Sequence, residues 1–176
     1  MNGRNEMSSN VNTTTTGWLE QLVVFTLAGK SYGVSIGKVN GIERMQKITR
    51  VPDAPDFIEG TINLRGRVIP VINMKTLFNL PQGETTKNTR IVVVNIEGHP
   101  TGIIIDAVTE VLRIPAGSVE SASSLSTYTA YADHLMGIAK LEDKMIFLLS
   151  LNNILSTEQF SELTKANTAA ETTPQI

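Results

Sequence analysis

Two stretches of this chain repeat one pattern of apolar residues and glycines in the same order, and that duplication restricts the fold more than any other feature. Residues 22–45 read LVVFTLAGKSYGVSIGKVNGIERM, and residues 91–114, at a spacing of 69, read IVVVNIEGHPTGIIIDAVTEVLRI. Val23 falls on Val92, Leu27 on Ile96, Val39 on Val108, Ile42 on Val111, Gly33 on Gly102 and Arg44 on Arg113. The agreement resumes with FIEGTINLRGRVIPVINMKTLF at 57–78 and HLMGIAKLEDKMIFLLSLNNIL at 134–155, now at a spacing of 77. Gly60 then falls on Gly137, Ile69 on Ile146 and Val71 on Leu148. Two consecutive blocks in one order, with shared glycines, mark a duplicated unit of roughly 60 residues.

Each unit has the same grammar. In the first, β-branched runs at 21–27, 31–36 and 39–44 read as three strands. A Pro- and Asp-rich loop follows, then strands at 60–64 and 67–72 around the turn Arg65-Gly66, and a short helical turn at 73–78. Five short strands with tight turns suit a small closed barrel, because closure removes unpaired edges. The expected fold is all-β, with two five-stranded barrels at 18–84 and 85–155 and exchange of strands between them left open. Pro70 donates no ladder hydrogen bond, so its part of strand five should be an edge or a bulge. Beyond Leu155, Ser156 and Gln159 stand in capping-box spacing, so a helix is expected over 156–165, with Phe160 and Leu163 on its packed face. Residues 1–17 and 166–176 are polar and read as disordered tails.

The chain offers few parts for catalysis. It has no cysteine, which excludes disulfides and thiolate ligands. Its two histidines, His99 and His134, lie far apart in sequence with no metal-ligand spacing. No nucleophile elbow, phosphate loop or dinucleotide motif is present. No cofactor and no enzymatic activity are expected. No apolar run follows Arg4 and none reaches 18 residues, so neither a secretory signal nor a membrane span is read. The net charge of −2 leaves no nucleic-acid footprint. Basic residues outnumber acidic ones in the first unit and the reverse holds in the second. A small β-barrel enzyme or oligonucleotide binder would need a basic groove with exposed aromatics, and the aromatics here are few and fall mostly at apolar strand positions. The remaining class is protein recognition.

Gly60, Gly66, Gly102 and Gly137 are read as structural glycines at turns or strand starts. Arg65 stands in the tight turn between strands four and five. A turn can present a guanidinium on a rigid base, and arginine is favoured at interfaces.

Three segments carry a family resemblance. FTLAGKSYGV (25–34), VPDAPDFIEGTINLRG (51–66) followed by RVIPVI, and GIIIDAVTEVL (102–112) are similar to the CheW family of bacterial chemotaxis couplers. The resemblance covers about residues 19–155. It implies SH3-like five-stranded barrels with an apolar seam between them. It also implies a cytoplasmic adaptor, recruited to membrane-associated arrays, that joins methyl-accepting chemoreceptors to the histidine kinase CheA. The kinase's regulatory domain resembles the same fold, so coupler and kinase are expected to alternate in rings, the coupler alone being mostly monomeric. No nucleic acid and no inserted membrane segment belong to this picture. Receptor binding is assigned by the resemblance to Arg65, in the NLRG turn, to Val39, Ile42 and Val108 along a groove between the barrels, and to Glu43 beside the turn arginine. Where the family often has an acidic partner for the turn arginine, this chain has Gly41. Whether Glu43, two residues along and on the same face, takes that part is open at the level of sequence. The family aspartate of PIVDL is Asn73 here. A CheW-like adaptor in a non-chemotactic pathway, governing pili or development, is the alternative.

Overall fold

The apolar runs that open the two repeats are buried on both faces, and this sets the architecture. The structure, a computed structural model, describes residues 18–115, 118–121 and 134–172. The first repeat forms β1 (Trp18–Leu27), β2 (Lys30–Ser35), a 3-10 turn (Ile36–Lys38), β3 (Val39–Arg44), β4 (Ile58–Leu64), β5 (Arg67–Asn73) and α1 (Met74–Leu77). The second forms β6 (Arg90–Ile96), β7 (His99–Ile105), β8 (Ala107–Pro115), β9 (Val119–Ser121), β10 (Leu135–Leu141) and β11 (Lys144–Leu149). A closing helix, α2, spans Thr157–Thr172.

The class is all-β. One sheet has the order β3-β6-β7-β5-β4 and the other β8-β1-β2-β11-β10-β9. Strands are exchanged between the repeats: each sheet takes its leading hairpin from one repeat and its other strands from the other. The two parallel contacts are counterparts, β5 with β7 (Val71↔Gly102) and β2 with β11 (Leu148↔Gly33). Closed five-stranded barrels were expected, and here the structure differs. Among the described residues one sheet has six strands, and neither ladder returns on itself. Closing the first would need β3 to pair with β4, but the chain between them makes only the Thr49–Thr61 bridge. The sixth strand, β9, occupies the corresponding place beside β10.

Alternation along each strand divides the core into three. Leu22, Val24, Ala139, Ile146 and Leu148 fill the inside of the six-stranded sheet. Their repeat counterparts Ile91, Val93, Ile62, Ile69 and Val71 fill the inside of the five-stranded one. The intervening positions, among them Val23, Phe25, Leu27, Val92, Val94 and Ile96, turn the other way into a larger cluster shared by both sheets. Strands buried on both sides read as continuous apolar runs, as LVVF and IVVV do. Each such side chain contributes about 1.5–3 kcal/mol when fully buried, and the shared seam binds the sheets to one another.

Pro70 lies in an internal strand, yet β5 joins β7 only from Val71 onward. Next to β7 the strand is locally an edge at Pro70, which is where a residue without an N–H is tolerated. Gly60 and Gly137 lie near the starts of β4 and β10. A Cβ on Gly60 would stand 2.2 Å from the Thr49 carbonyl oxygen, and one on Gly137 would stand 2.1 Å from that of Glu120. Gly102, expected at a turn or strand start, lies mid-strand in β7, and a side chain is excluded there because a Cβ would stand 2.7 Å from Ile91.

A polar clamp crosses from one sheet to the other. Asp106 is the residue where the chain leaves β7 for β8. Its carboxylate accepts the Ala28 N–H at 2.9 Å and pairs with Lys75 at 2.6 Å, while its own N–H donates to Thr26. Lys75 is only 14% exposed. Beside it Asn73 caps α1 by accepting the Thr76 N–H, and its amide donates to Glu59. An aspartate could cap in the same way but could not donate to Glu59.

The capping box of α2 is made as the spacing predicts. Ser156 Oγ accepts the Gln159 N–H, and Gln159 Oε1 accepts the Ser156 N–H. The helix runs seven residues past the expected stop at Lys165, and Ala166, buried one turn after Leu163, extends the packed face. The other residues read as tails, 1–17 and 173–176, lie outside the described residues. No helix among the described residues is long and apolar enough to cross a membrane.

Candidate docking surface

The edge strands β3 and β8 end the two sheets and are counterparts in the repeat. β3 pairs with β6 and β8 with β1, so among the described residues each has one unpaired side. On β3 the side chains alternate in burial, with Val39, Gly41 and Glu43 inward and Asn40, Ile42 and Arg44 outward. Val39 and Val108 are half-buried and pack on the shared seam. Ile42 is 43% exposed, and its counterpart Val111 is 51% exposed. Each sheet thus ends in a strand that seats one valine on the seam and offers one large aliphatic side chain to solvent. Val111 was not among the residues picked out in the sequence. The 69-residue spacing that aligns it with Ile42 is the signal that finds it.

Arg65 is held by a two-residue hairpin. Both Arg65 (φ 53) and Gly66 (φ 84) have positive φ, the conformation of a tight turn that matches strand twist. Asn63 Oδ1 accepts the Gly66 N–H at 3.0 Å and fixes the turn. The guanidinium projects, 77% exposed, and lies 3.5 Å from Glu43 Oε2. A Cβ on Gly41 would stand 3.2 Å from that same oxygen, so the Glu43 carboxylate lies over the space a side chain at 41 would use. A cleft of about 150 Å³ runs between them, lined by Gly41, Glu43, Arg65 and Arg67.

The five residues assigned to receptor binding therefore divide. Arg65 and Glu43 share a cleft over the five-stranded sheet, Val39 and Val108 share the seam, and Ile42 faces outward from β3. The histidines serve packing. His99 meets Phe160 of α2 edge-on at 5.1 Å, and His134 stacks on Phe78 at 5.4 Å. Each has Nδ1 3.0 Å from a backbone carbonyl, Glu97 and Asn153 respectively. Among the described residues no group of three His, Asp or Glu side chains converges as a metal site. The surface offers apolar edges, a fixed cation and hydrogen-bonding backbone, which are parts for binding another protein.

Comparison with known proteins agrees with this anatomy. The family model described as CheW-like domain matches residues 21–159. The chemotaxis protein CheW of Bacillus subtilis is 35% identical over 140 residues, covering 79% of this chain and 88% of the relative. That of Klebsiella aerogenes is 31% identical over 142 residues, covering 81% and 85%. The crystal structure of the scaffolding protein TtCheW from Thermoanaerobacter tengcongensis superposes with a TM-score of 0.72 at 38% identity, covering 80% of this chain and 90% of that one. The chain belongs to the CheW-like family.

Proposed function

We propose that this protein is a chemotaxis adaptor that couples methyl-accepting chemoreceptors to the histidine kinase CheA. It is a scaffold and not an enzyme. The observation that carries the reading is the pair of repeat-equivalent edge strands, β3 and β8, each with an exposed aliphatic side chain over a seam-packed valine. A helical receptor tip laid along an apolar groove is one established mode of recognition. A barrel-like kinase domain abutting a sheet end is a second, and alternation of the two closes a ring. Arg65, Glu43, Val39, Ile42 and Val108 are the receptor-facing set, and Gly66 supports the arginine. The protein acts in the cytoplasm, mostly monomeric alone and recruited to receptor arrays, where many weak contacts give avidity. The relatives are chemotaxis proteins, which favours that pathway over pili or development.

The test is reconstitution of a receptor signalling fragment, CheA and this protein, scored by kinase autophosphorylation. Receptor-dependent phosphorylation should rise when the protein is added. Failure to bind either the kinase regulatory domain or the receptor tip at micromolar concentration would overturn the proposal.

A further inference from the structure

One ion pair of the six-stranded sheet has no equivalent in the other. In the six-stranded sheet Lys144, at the start of β11, pairs with Glu110 of β8. Their repeat counterparts are Arg67 and Gly41, so the five-stranded sheet keeps the cation and lacks the carboxylate. Among the described residues the Arg67 guanidinium has no ion-pair or hydrogen-bond partner.

Arg67 also borders a second cleft, of about 720 Å³, between the starts of β5 and β7 on one side and α2 on the other. That volume lies within the range of about 300–1,000 Å³ typical of small-molecule sites. Proline opens it: Pro70 and Pro100 both line the gap, neither can donate to a ladder, and β5 joins β7 only from Val71↔Gly102 onward. From the helix side the cleft presents acceptors. Asn167 Oδ1 is buried without a hydrogen bond, the one such side-chain atom among the described residues. Thr164 and Thr168 commit their hydroxyl protons to the Ser161 and Thr164 carbonyls, so toward the cleft they offer lone pairs. An unsatisfied buried acceptor is destabilising, and a donor on an occupant would relieve it.

One cation without a partner and several acceptors without donors define a complementary molecule. We propose that this cleft binds a small carboxylate that also carries N–H or O–H donors, of the amino-acid or hydroxy-acid class. Its carboxylate pairs with Arg67 at the rim of the cleft, and its donors meet Asn167 Oδ1 and the threonine oxygens. The site is independent of the adaptor reading, although Gly66 makes it contiguous with the Arg65 turn.

The experiment is a titration of the ¹⁵N-labelled full chain with L-serine, glycolate and acetate, followed by amide shifts. Serine or glycolate should move the Gly66, Gly98 and Asn167 amides saturably, and which of them binds more tightly identifies the donor class. Acetate, with a carboxylate and no donor, should bind at least about tenfold more weakly. Arg67→Gln, an exposed change that leaves the fold intact, should weaken serine or glycolate by about tenfold or more. Asn167→Leu should reduce either to the level of acetate. The proposal fails if neither compound gives saturable shifts up to about 50 mM, if acetate matches them, or if either variant binds as the parent does. Kinase coupling is not the readout, so failure here leaves the adaptor proposal standing.

Discussion

The β4–β5 hairpin of the five-stranded sheet and its counterpart, the β10–β11 hairpin of the six-stranded sheet, each turn in two residues but carry opposite chemistry. Arg65-Gly66 stands where the second repeat has Glu142-Asp143, and Gly41 stands where it has Glu110. In the six-stranded sheet Glu110 and Lys144 join the edge strand to β11 through a half-buried ion pair. In the five-stranded sheet the carboxylate has moved two residues along, to Glu43, and its partner is the projecting Arg65 rather than Arg67. The duplication preserves what the core needs: five interior positions in one sheet correspond one for one with five in the other. It lets the rims diverge. One rim is tied down by its own charges, and the other turns two arginines outward.

The glycines shared by the repeats test the equivalence most severely. Gly60→Ala and Gly137→Ala each force a Cβ to about 2 Å from a backbone oxygen, far inside contact distance. Each should cost more than about 3 kcal/mol, among the largest effects of single substitutions, or abolish folding. Urea denaturation measures it. A large loss at one site and a small loss at the other would break the equivalence of the sheets.

Asp106→Ala probes where the sheets are unlike, since its counterpart in the first repeat is Gly37. The change leaves Lys75 mostly buried without its carboxylate and the Ala28 N–H without its acceptor. A loss of about 2–3 kcal/mol is expected, discounted from a fully buried pair because Asp106 is partly exposed. An unchanged midpoint in denaturant would remove the clamp from the account of how the sheets are joined.

Exchanging the rims is milder. Glu110→Gly gives the six-stranded sheet the rim of the other, and should cost about 0.5–1.5 kcal/mol through the half-buried ion pair and the glycine's backbone entropy in a strand. Chemical denaturation against Glu110→Gln separates the charge from the backbone effect. Equal losses would assign everything to the ion pair.

Much of this was legible in the sequence because duplication supplies an internal control. The strands and the capping box at Ser156 follow from apolar alternation and turn chemistry, whereas the exchange of strands between repeats was left open, because pairing partners are set by tertiary contacts. Closure did not follow, because a ladder's return depends on the path of the 45–57 loop, which has no periodic signal. The run of α2 to Thr172 was hidden for a related reason. Its polar, threonine-rich composition reads as a tail, and the burial of Ala166 that supports it is a tertiary contact. The Arg65–Glu43 contact was one of two open readings, since strand parity places Glu43 on the right face but does not give its rotamer. Val111 aligns with Ile42 at the 69-residue spacing, but the exposure that makes both notable is a tertiary property of edge strands, which the repeat pattern does not display.

The smallest effect on folding belongs to the residue given the largest functional part. Arg65→Glu makes the first turn resemble the second, where Glu142 stands. Arg65 is 77% exposed and its contact with Glu43 is a surface ion pair at 3.5 Å, so stability should change by no more than about 0.5 kcal/mol. The positive φ at position 65 is kept by the turn and its Asn63 hydrogen bond, which do not depend on the guanidinium. Receptor-dependent kinase activation should nevertheless fall well below that of the parent, because a fixed cation on the docking face becomes an anion beside Glu43. Measured together, an unchanged denaturation midpoint and a loss of coupling place Arg65 on the binding surface. A lowered midpoint that accounts for the loss would make the arginine a structural part of the turn, and the two rims would then differ in charge without differing in function.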